Sequence, residues 1–86
     1  MFKDSINNKG PFAAVFEFED GAGYFYLLDS KNNGKVVAHK KVCDANLGFA
    51  EDDITFEWGE EDVSMCIFGK KVAAVDFPKY ENNKNS

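Results

Sequence analysis

The chain has 86 residues, 44% of them hydrophobic and 29% charged, so it is sized for one domain with the composition of an ordinary globular protein rather than a disordered one. Fifteen acidic residues against ten lysines and no arginine give a net charge of −5, which argues against nucleic-acid binding because such proteins need positive charge to neutralise phosphates. No apolar run approaches the ~18 residues that span a bilayer and no signal-type hydrophobic segment follows Met1, so we expect a cytoplasmic protein that does not enter a membrane.

The first half of the chain predicts two strands behind a flexible polar lead-in, residues 1–11. From Phe12 to Glu19 the side chains alternate so that the phenylalanines of this run share one face of a strand. The glycines in Asp20–Gly23 indicate a tight turn, because glycine accepts the positive φ that such turns require. An aromatic strand over Tyr24–Asp29 follows, and then a turn at Ser30–Gly34, where Asn and Gly are favourable.

The second half predicts four more strands, separated by turns and by one irregular segment. The valines at 35–43 favour a strand, although this run is the most ambiguous in the chain. Alternation breaks at 44–53, which is long enough for one helical turn around Ala45, Leu47 and Phe49 but too short for an independent helix. Strands follow at 54–58, 63–68 and 71–77, with a turn at 59–62, a two-residue hairpin loop at Gly69–Lys70, and a flexible polar tail at 78–86.

These elements predict an all-β fold, with a single domain at 12–77 built as an antiparallel meander of about six strands. Several strands are apolar on both faces, as where Tyr24 and Tyr26 oppose Phe25 and Leu27. No predicted helix is long enough to cover a flat sheet. We therefore expect the sheet to curve strongly into a small barrel or a sandwich. The alternative is that a second copy in a homodimer, or a different protein, covers the exposed face.

The side chains able to react or to bind metal do not form a recognisable site. Cys43 and Cys66 lie in apolar, strand-like runs, where free cysteines usually pack as small hydrophobic residues, so we expect two reduced thiols. These thiols and His39 do not make a zinc motif, and the acidic residues lack the spacing of a calcium loop. No nucleophile or orienting carboxylate accompanies His39 at a catalytic spacing. The sequence predicts no enzyme, no metal site and no cofactor.

Two parts of the sequence resemble a known family. The first is Phe12–Glu19 with Gly23–Asp29, and the second is Ile54–Trp58, an acidic turn, Val63–Gly69 and Val72–Phe77. Together they are similar to the opening strands and the closing hairpin of a bacterial family known as domain of unknown function number 2251. The resemblance implies a small, soluble, β-rich bacterial protein. It implies no activity, substrate or cofactor.

The uneven distribution of charge gives the functional hypothesis. Between Val42 and Gly69 there are eight acidic residues and no lysine. Such a cluster either is a solvated rim or attracts a basic partner and speeds its association. We favour an acidic protein-binding module, most concretely an immunity protein that neutralises a bacterial toxin by occlusion, its carboxylates standing in for the phosphates of a nuclease substrate. The alternative is a self-assembling structural protein. The predicted partner-binding residues, with Trp58 as the anchor, are Glu51, Asp52, Asp53, Glu57, Trp58, Glu60, Glu61 and Asp62.

Overall fold

The fold consists of seven strands in two antiparallel sheets, as seen in a computed structural model that describes residues 2–46, 48 and 50–78. The first sheet has the strand order β1-β2-β3-β4 and the second has the order β5-β6-β7. The predicted all-β antiparallel fold is confirmed, but the described chain forms two sheets and no closed barrel, and it has seven strands rather than six. The strands are β1 (Lys3–Ile6), β2 (Phe12–Glu19), β3 (Ala22–Asp29), β4 (Lys35–Cys43), β5 (Ile54–Trp58), β6 (Asp62–Ile67) and β7 (Lys70–Asp76).

Strand β1 is the additional strand, and it lies in residues for which the sequence predicts only a flexible lead-in. It pairs antiparallel with β2, with Ser5 opposite Ala14. The pairing continues to Phe2, whose backbone N–H donates to the carbonyl oxygen of Phe16 at 2.9 Å. Because the four residues of β1 have no apolar face, their pattern gives no strand signal. The strand forms because its backbone groups satisfy those along the edge of β2.

The chain changes from the first sheet to the second within residues 44–53. A 3-10 turn at Glu51–Asp53 leads into β5. Leu47 and Phe49, around which a helical turn is predicted, lie outside the described residues, as do residues 79–86 of the predicted tail. The change of sheet turns the predicted single meander into two layers. None of the described residues is in an α-helix, and no helix in this part of the chain is long and apolar enough to cross a membrane.

An apolar core lies between the two sheets. The alternation predicted for β2 is confirmed, since Phe12, Ala14 and Phe16 are buried while the residues between them are only half-buried. The rings of Phe25 in the first sheet and Phe56 in the second have their centroids 5.7 Å apart. The buried residues of the core are Phe12, Ala14, Phe16, Phe25, Leu27, Ile54, Val63, Met65 and Ala73.

The hairpin between β6 and β7 corrects a prediction of register. Ile67 pairs with Lys70, so the two-residue loop is Phe68–Gly69 rather than Gly69–Lys70. Both loop residues have left-handed backbone, with φ of 54° and 78°. This is the backbone of a type I′ turn, whose twist matches that of the flanking strands. Phe68 therefore occupies a position that usually holds Asn or Asp, and its side chain is 73% exposed.

Candidate binding surface at the β5–β6 turn

The acidic residues predicted to form one face divide into two groups at opposite ends of β5. Glu51, Asp52 and Asp53 form the 3-10 turn before the strand, whereas Glu60 and Glu61 lie in the turn after it. The five residues of β5 rise ~3.3 Å each, so they place roughly 17 Å between the two groups. This exceeds the Debye length of ~8 Å at physiological ionic strength, so the groups act as separate sources of charge.

The group before β5 is partly structural. The Asp53 carboxylate accepts a hydrogen bond from the Ala50 backbone N–H at 2.6 Å, and its carbonyl oxygen accepts one from the Phe68 N–H at 2.9 Å. Asp53 is half-buried, whereas Glu51 and Asp52 are exposed. Glu57 is also exposed, on the outer face of the second sheet opposite Ser64. The Glu51–Asp53 end of β5 thus has exposed charge but none of the predicted aromatic residues, whereas Glu57 directly precedes Trp58 at the other end and points to the opposite face.

Trp58, the predicted anchor, is half-buried at the other end of β5. It shares the inward face of the strand with Ile54 and Phe56, as alternation requires. Its indole Nε1–H donates to the Ser5 hydroxyl oxygen at 2.9 Å, which ties β5 to β1 across the two sheets. This hydrogen bond satisfies the only polar atom of the side chain, so the rest of the ring is available for apolar contact.

Two further aromatic residues make Trp58 part of a cluster. The Phe77 ring lies 6.0 Å from that of Trp58, centroid to centroid, and it stacks on Phe12 at 4.7 Å with 22° between the ring planes. These rings form the floor of an open depression of about 640 Å³. Its other walls are the loop between β1 and β2 and the start of the β5–β6 turn. The lining residues are Ile6, Asn7, Asn8, Lys9, Gly10, Pro11, Phe12, Trp58, Gly59, Glu60 and Phe77.

A smaller acidic depression adjoins this one and shares Phe77 with it. Its volume is about 350 Å³, and its remaining lining residues are Glu61, Asp62 and Asp76. Asp62 and Asp76 are directly opposite each other on β6 and β7. Like charges in that relation destabilise a sheet, and a cation placed between them would relieve the repulsion. The arrangement therefore favours a positively charged group from outside the described chain.

Backbone hydrogen bonds hold the acidic turn in place beside the aromatic floor. The Gly59 N–H donates to the Asp62 carbonyl oxygen at 2.8 Å, and the Phe77 N–H donates to the Glu61 carbonyl oxygen at 2.8 Å. A Cβ atom at position 59 would lie 2.5 Å from the Asp62 carboxylate. Glycine at this position thus lets the Asp62 side chain fold back over the turn. The turn is built to present its acids at a fixed place.

The other residues singled out from the sequence lie away from this end. His39 is exposed on β4, with its ring stacked on Tyr26 at 6.0 Å. Cys43 and Cys66 are free thiols, half-buried and buried respectively. Within residues 2–46, 48 and 50–78, no three His, Cys, Asp or Glu side chains are grouped so that they could hold a metal ion.

Two hydrogen-bonded pairs shift pKa values on the first sheet. The Tyr26 hydroxyl donates to the Glu19 carboxylate, and this bond, with the nearby negative charge, raises the pKa of Tyr26 to about 12. The Lys41 ammonium lies 2.6 Å from the Asp44 carboxylate. Their hydrogen bond and mutual attraction raise the pKa of Lys41 and lower that of Asp44. All four side chains belong to a different surface from the depression.

Sequence reasoning missed half of this surface. Phe12 and Phe77 are predicted as strand residues with no site role, and the loop 7–11 is placed in the lead-in. Asp76 has no acidic neighbour in sequence, and only the pairing of β6 with β7 brings it to Asp62. No local pattern could have joined these residues. Comparison with known proteins finds no matching family model, no similar curated protein and no similar solved structure.

Proposed function

We propose that the protein is a small acidic protein-binding module whose contact surface is the aromatic depression together with the acidic β5–β6 turn. The observation that supports this most is the juxtaposition of the Trp58, Phe77 and Phe12 rings with Glu60, Glu61 and the Asp62–Asp76 pair. The module works by covering a surface of its partner and has no catalytic step. Its most concrete form is an immunity protein that blocks the basic nucleic-acid-binding cleft of a toxin.

The division of labour between the two parts follows from general interface physics. Aromatic side chains at the centre of an interface bury much apolar area at little entropic cost, and they often supply most of the affinity. Charged groups at the rim contribute less affinity but steer the encounter and select the partner. Here the apolar floor lies beside the acidic rim. A matching partner presents an apolar side chain flanked by lysine or arginine.

The group at Glu51–Asp53 is a weaker candidate than the β5–β6 turn. Both groups are acidic, but only the turn adjoins a depression lined by several aromatic rings, whereas Glu51–Asp53 has the single exposed ring of Phe68 near it. Asp53 is also already engaged, since its carboxylate caps the Ala50 N–H. We therefore assign the contact to the end of β5 that carries Trp58.

This assignment is tested by two charge reversals of equal size. The variants E60K/E61K and E51K/D52K each replace two exposed acids, and each changes the net charge from −5 by four units to −1. A partner captured from lysate of the source cells is identified by mass spectrometry, purified and titrated against each variant. We expect E60K/E61K to slow association about tenfold or more at low salt, and E51K/D52K to change it much less.

The salt dependence separates this proposal from a general charge effect. The advantage of the parent protein over E60K/E61K should shrink as ionic strength rises from about 50 mM to about 500 mM. Equal slowing by both variants would mean that net charge alone matters. Unchanged binding of E60K/E61K would exclude the turn. For the immunity form, the partner must be a toxin domain inhibited at a one-to-one ratio, and a partner that is not inhibited contradicts it.

A further inference from the structure

The outer face of the first sheet carries an apolar row that crosses all its strands. Ile6 on β1 is opposite Ala13 on β2, which is opposite Leu28 on β3, which is opposite Val36 on β4. Ile6 and Val36 at the ends of the row are 69% and 46% exposed. Side chains of these types, side by side on a solvent-facing sheet, are the kind of surface that usually has a partner.

The next two rows carry the polar side chains of this face, and the lysine among them, Lys41, is already paired with Asp44 at 2.6 Å. The second row begins with Asp4 on β1, which is opposite Val15 on β2. Val15 is opposite Tyr26 on β3, and Tyr26 is opposite His39 on β4. In the third, Glu17 is opposite Tyr24, which is opposite Lys41. The carboxylates lie on β1 and β2, while the histidine and the lysine lie on β4. The middle of the face is aromatic and aliphatic.

We propose that this face binds a second copy of the chain, with the two-fold axis parallel to the strands and midway between β2 and β3. Such an axis reverses the strand order, so β1 of one copy lies over β4 of the other and β2 lies over β3. Each cross-strand row then lies over the same row of the second copy, with its residues in the opposite order. Asp4 lies over His39 of the second copy, and Glu17 lies over the second copy's Tyr24.

Side-chain sizes agree with this arrangement. Ala13 lies over the second copy's Leu28, and Val15 lies over the second copy's Tyr26, so a small residue faces a large one in both central rows. Layers packed in this way interdigitate without voids. With the two-fold axis perpendicular to the strands and passing through the row of Asp4, β1 would lie over β1 and the two Asp4 carboxylates would face each other, so charge disfavours that axis.

The size of the face sets the expected strength of the dimer. Four strands ~4.8 Å apart and up to about eight residues long cover roughly 500 Å² in plan. Because side chains make the surface uneven, its accessible area is larger than this projected area and approaches the ~800 Å² that each partner buries in a standard interface. A dimer of this size falls among the weaker specific interfaces. We expect a reversible dimer with a micromolar dissociation constant. This face is on the other sheet from Glu60 and Glu61 and shares only Ile6 with the lining of the aromatic depression, so the proposal does not depend on the proposed function.

The experiment is sedimentation equilibrium over a range of protein concentrations, with two matched valine variants. Val36 and Val72 have similar exposure, 46% and 43%, but Val36 lies on the proposed interface and Val72 lies on β7 of the second sheet. The parent chain should sediment with twice its 9.6 kDa at high concentration and dissociate on dilution. V36K should raise the dissociation constant about tenfold or more, and V72K should leave it unchanged. Circular dichroism checks that both variants fold.

A charge exchange tests the direction of the axis. H39D should weaken the dimer because it places two carboxylates opposite one another, D4K should weaken it because it removes the carboxylate that faces the His39 ring, and D4K/H39D should restore it with an ion pair. A chain that stays monomeric up to about 1 mM overturns the proposal, since so weak an association would not reflect a specific interface. Equal weakening by V36K and V72K also overturns it. Failure of D4K/H39D to recover relative to both single variants rejects the parallel axis.

Discussion

Replacing Gly23 with alanine should destabilise the protein, although the same change at an open strand position is favourable. Gly23 lies on the buried face of β3, opposite Phe18 on β2 and Cys43 on β4. A Cβ atom built on its backbone comes within 2.6 Å of Phe16 Cζ and 2.7 Å of Cys43 Sγ. Atoms in packed interiors stay about 3.5–4.0 Å apart, so these neighbours would have to retreat by about 1 Å.

The Phe16 ring has no room to retreat. It is fully buried, and its edge-to-face contacts with Phe2 and Phe18 have centroid distances of 6.0 Å and 5.1 Å. Forcing an extra methyl group into such packing costs ~1–3 kcal/mol, while alanine recovers only ~0.5–1 kcal/mol of backbone entropy. We expect a net loss of about 1–2 kcal/mol in the free energy of unfolding. For a domain of this size that lowers the Tm by roughly 4–16 °C.

The assay is urea unfolding followed by the fluorescence of Trp58, with Gly10→Ala as the matched control. Gly10 also has no left-handed backbone, and the nearest atom to a Cβ there is Asn7 Nδ2 at 3.6 Å, an ordinary contact. Alanine at position 10 should be neutral or slightly stabilising. The opposite signs at the two glycines isolate steric overlap from the entropy that both substitutions change.

A second substitution tests whether Phe16 is the obstacle. Leucine at position 16 is shorter than phenylalanine and leaves space for the new methyl group, so G23A should cost less in a Phe16→Leu background than in the parent. We expect a favourable coupling of about 1 kcal/mol between the two substitutions. Strict additivity, or a Gly23→Ala variant as stable as the parent, would refute the steric account.

Three further outcomes follow from single contacts. Phe68→Asn should stabilise the protein by about 1 kcal/mol, as measured by urea unfolding, because asparagine tolerates the φ of 54° and the exposed ring makes few packing contacts to lose. Destabilisation would show that the Phe68 ring makes packing contacts that outweigh the backbone strain. The raised pKa of Tyr26 favours its protonated form in the fold, so this contribution to stability is complete below pH 10.0 and lost as pH rises toward about 12. In Glu19→Gln the ultraviolet titration of Tyr26 should move back toward 10.0, and an unmoved titration would exclude the hydrogen bond as its cause. Ser5→Ala should lower the free energy of unfolding by about 1 kcal/mol, measured by denaturant unfolding followed by circular dichroism. In a Trp58→Phe background the same substitution should cost almost nothing, because no indole N–H then needs an acceptor. Equal losses in the two backgrounds would contradict the contact.

Local patterns predict the elements whose own residues carry an apolar face. The run at Phe12, Ala14 and Phe16 predicts both the strand β2 and the face that is buried, because alternation of side chains is a property of any extended chain. The turn glycine Gly21 is equally readable, since its φ of 88° is left-handed. These predictions depend only on the local sequence and not on which strand pairs with it.

What the sequence does not predict depends on contacts between distant residues. Strand β1 exists because β2 offers an edge, and the bond from Trp58 to Ser5 joins residues separated by 53 positions. The depression draws at once on β1, β2, β5 and Phe77, which follows β7, so none of its signals is local. The break between the two sheets falls in 44–53, where the polar sequence indicates a loop but not which layer follows. Register and layer assignment are tertiary choices.

The two proposals together predict how binding depends on protein concentration. An axis parallel to the strands keeps the strand direction of both copies, so the end that carries Trp58 points the same way in each. Both aromatic depressions then open on one side of the dimer, and a partner with two basic sites can occupy both. Joining two sites raises apparent affinity by about 10²–10⁴ when the geometry allows it. Dilution through the dissociation constant of the dimer should therefore weaken binding to a two-site partner but not to a single-site fragment of it. If both weaken equally, dimerisation creates the site rather than doubling it, and the depression of a single chain is not sufficient for binding.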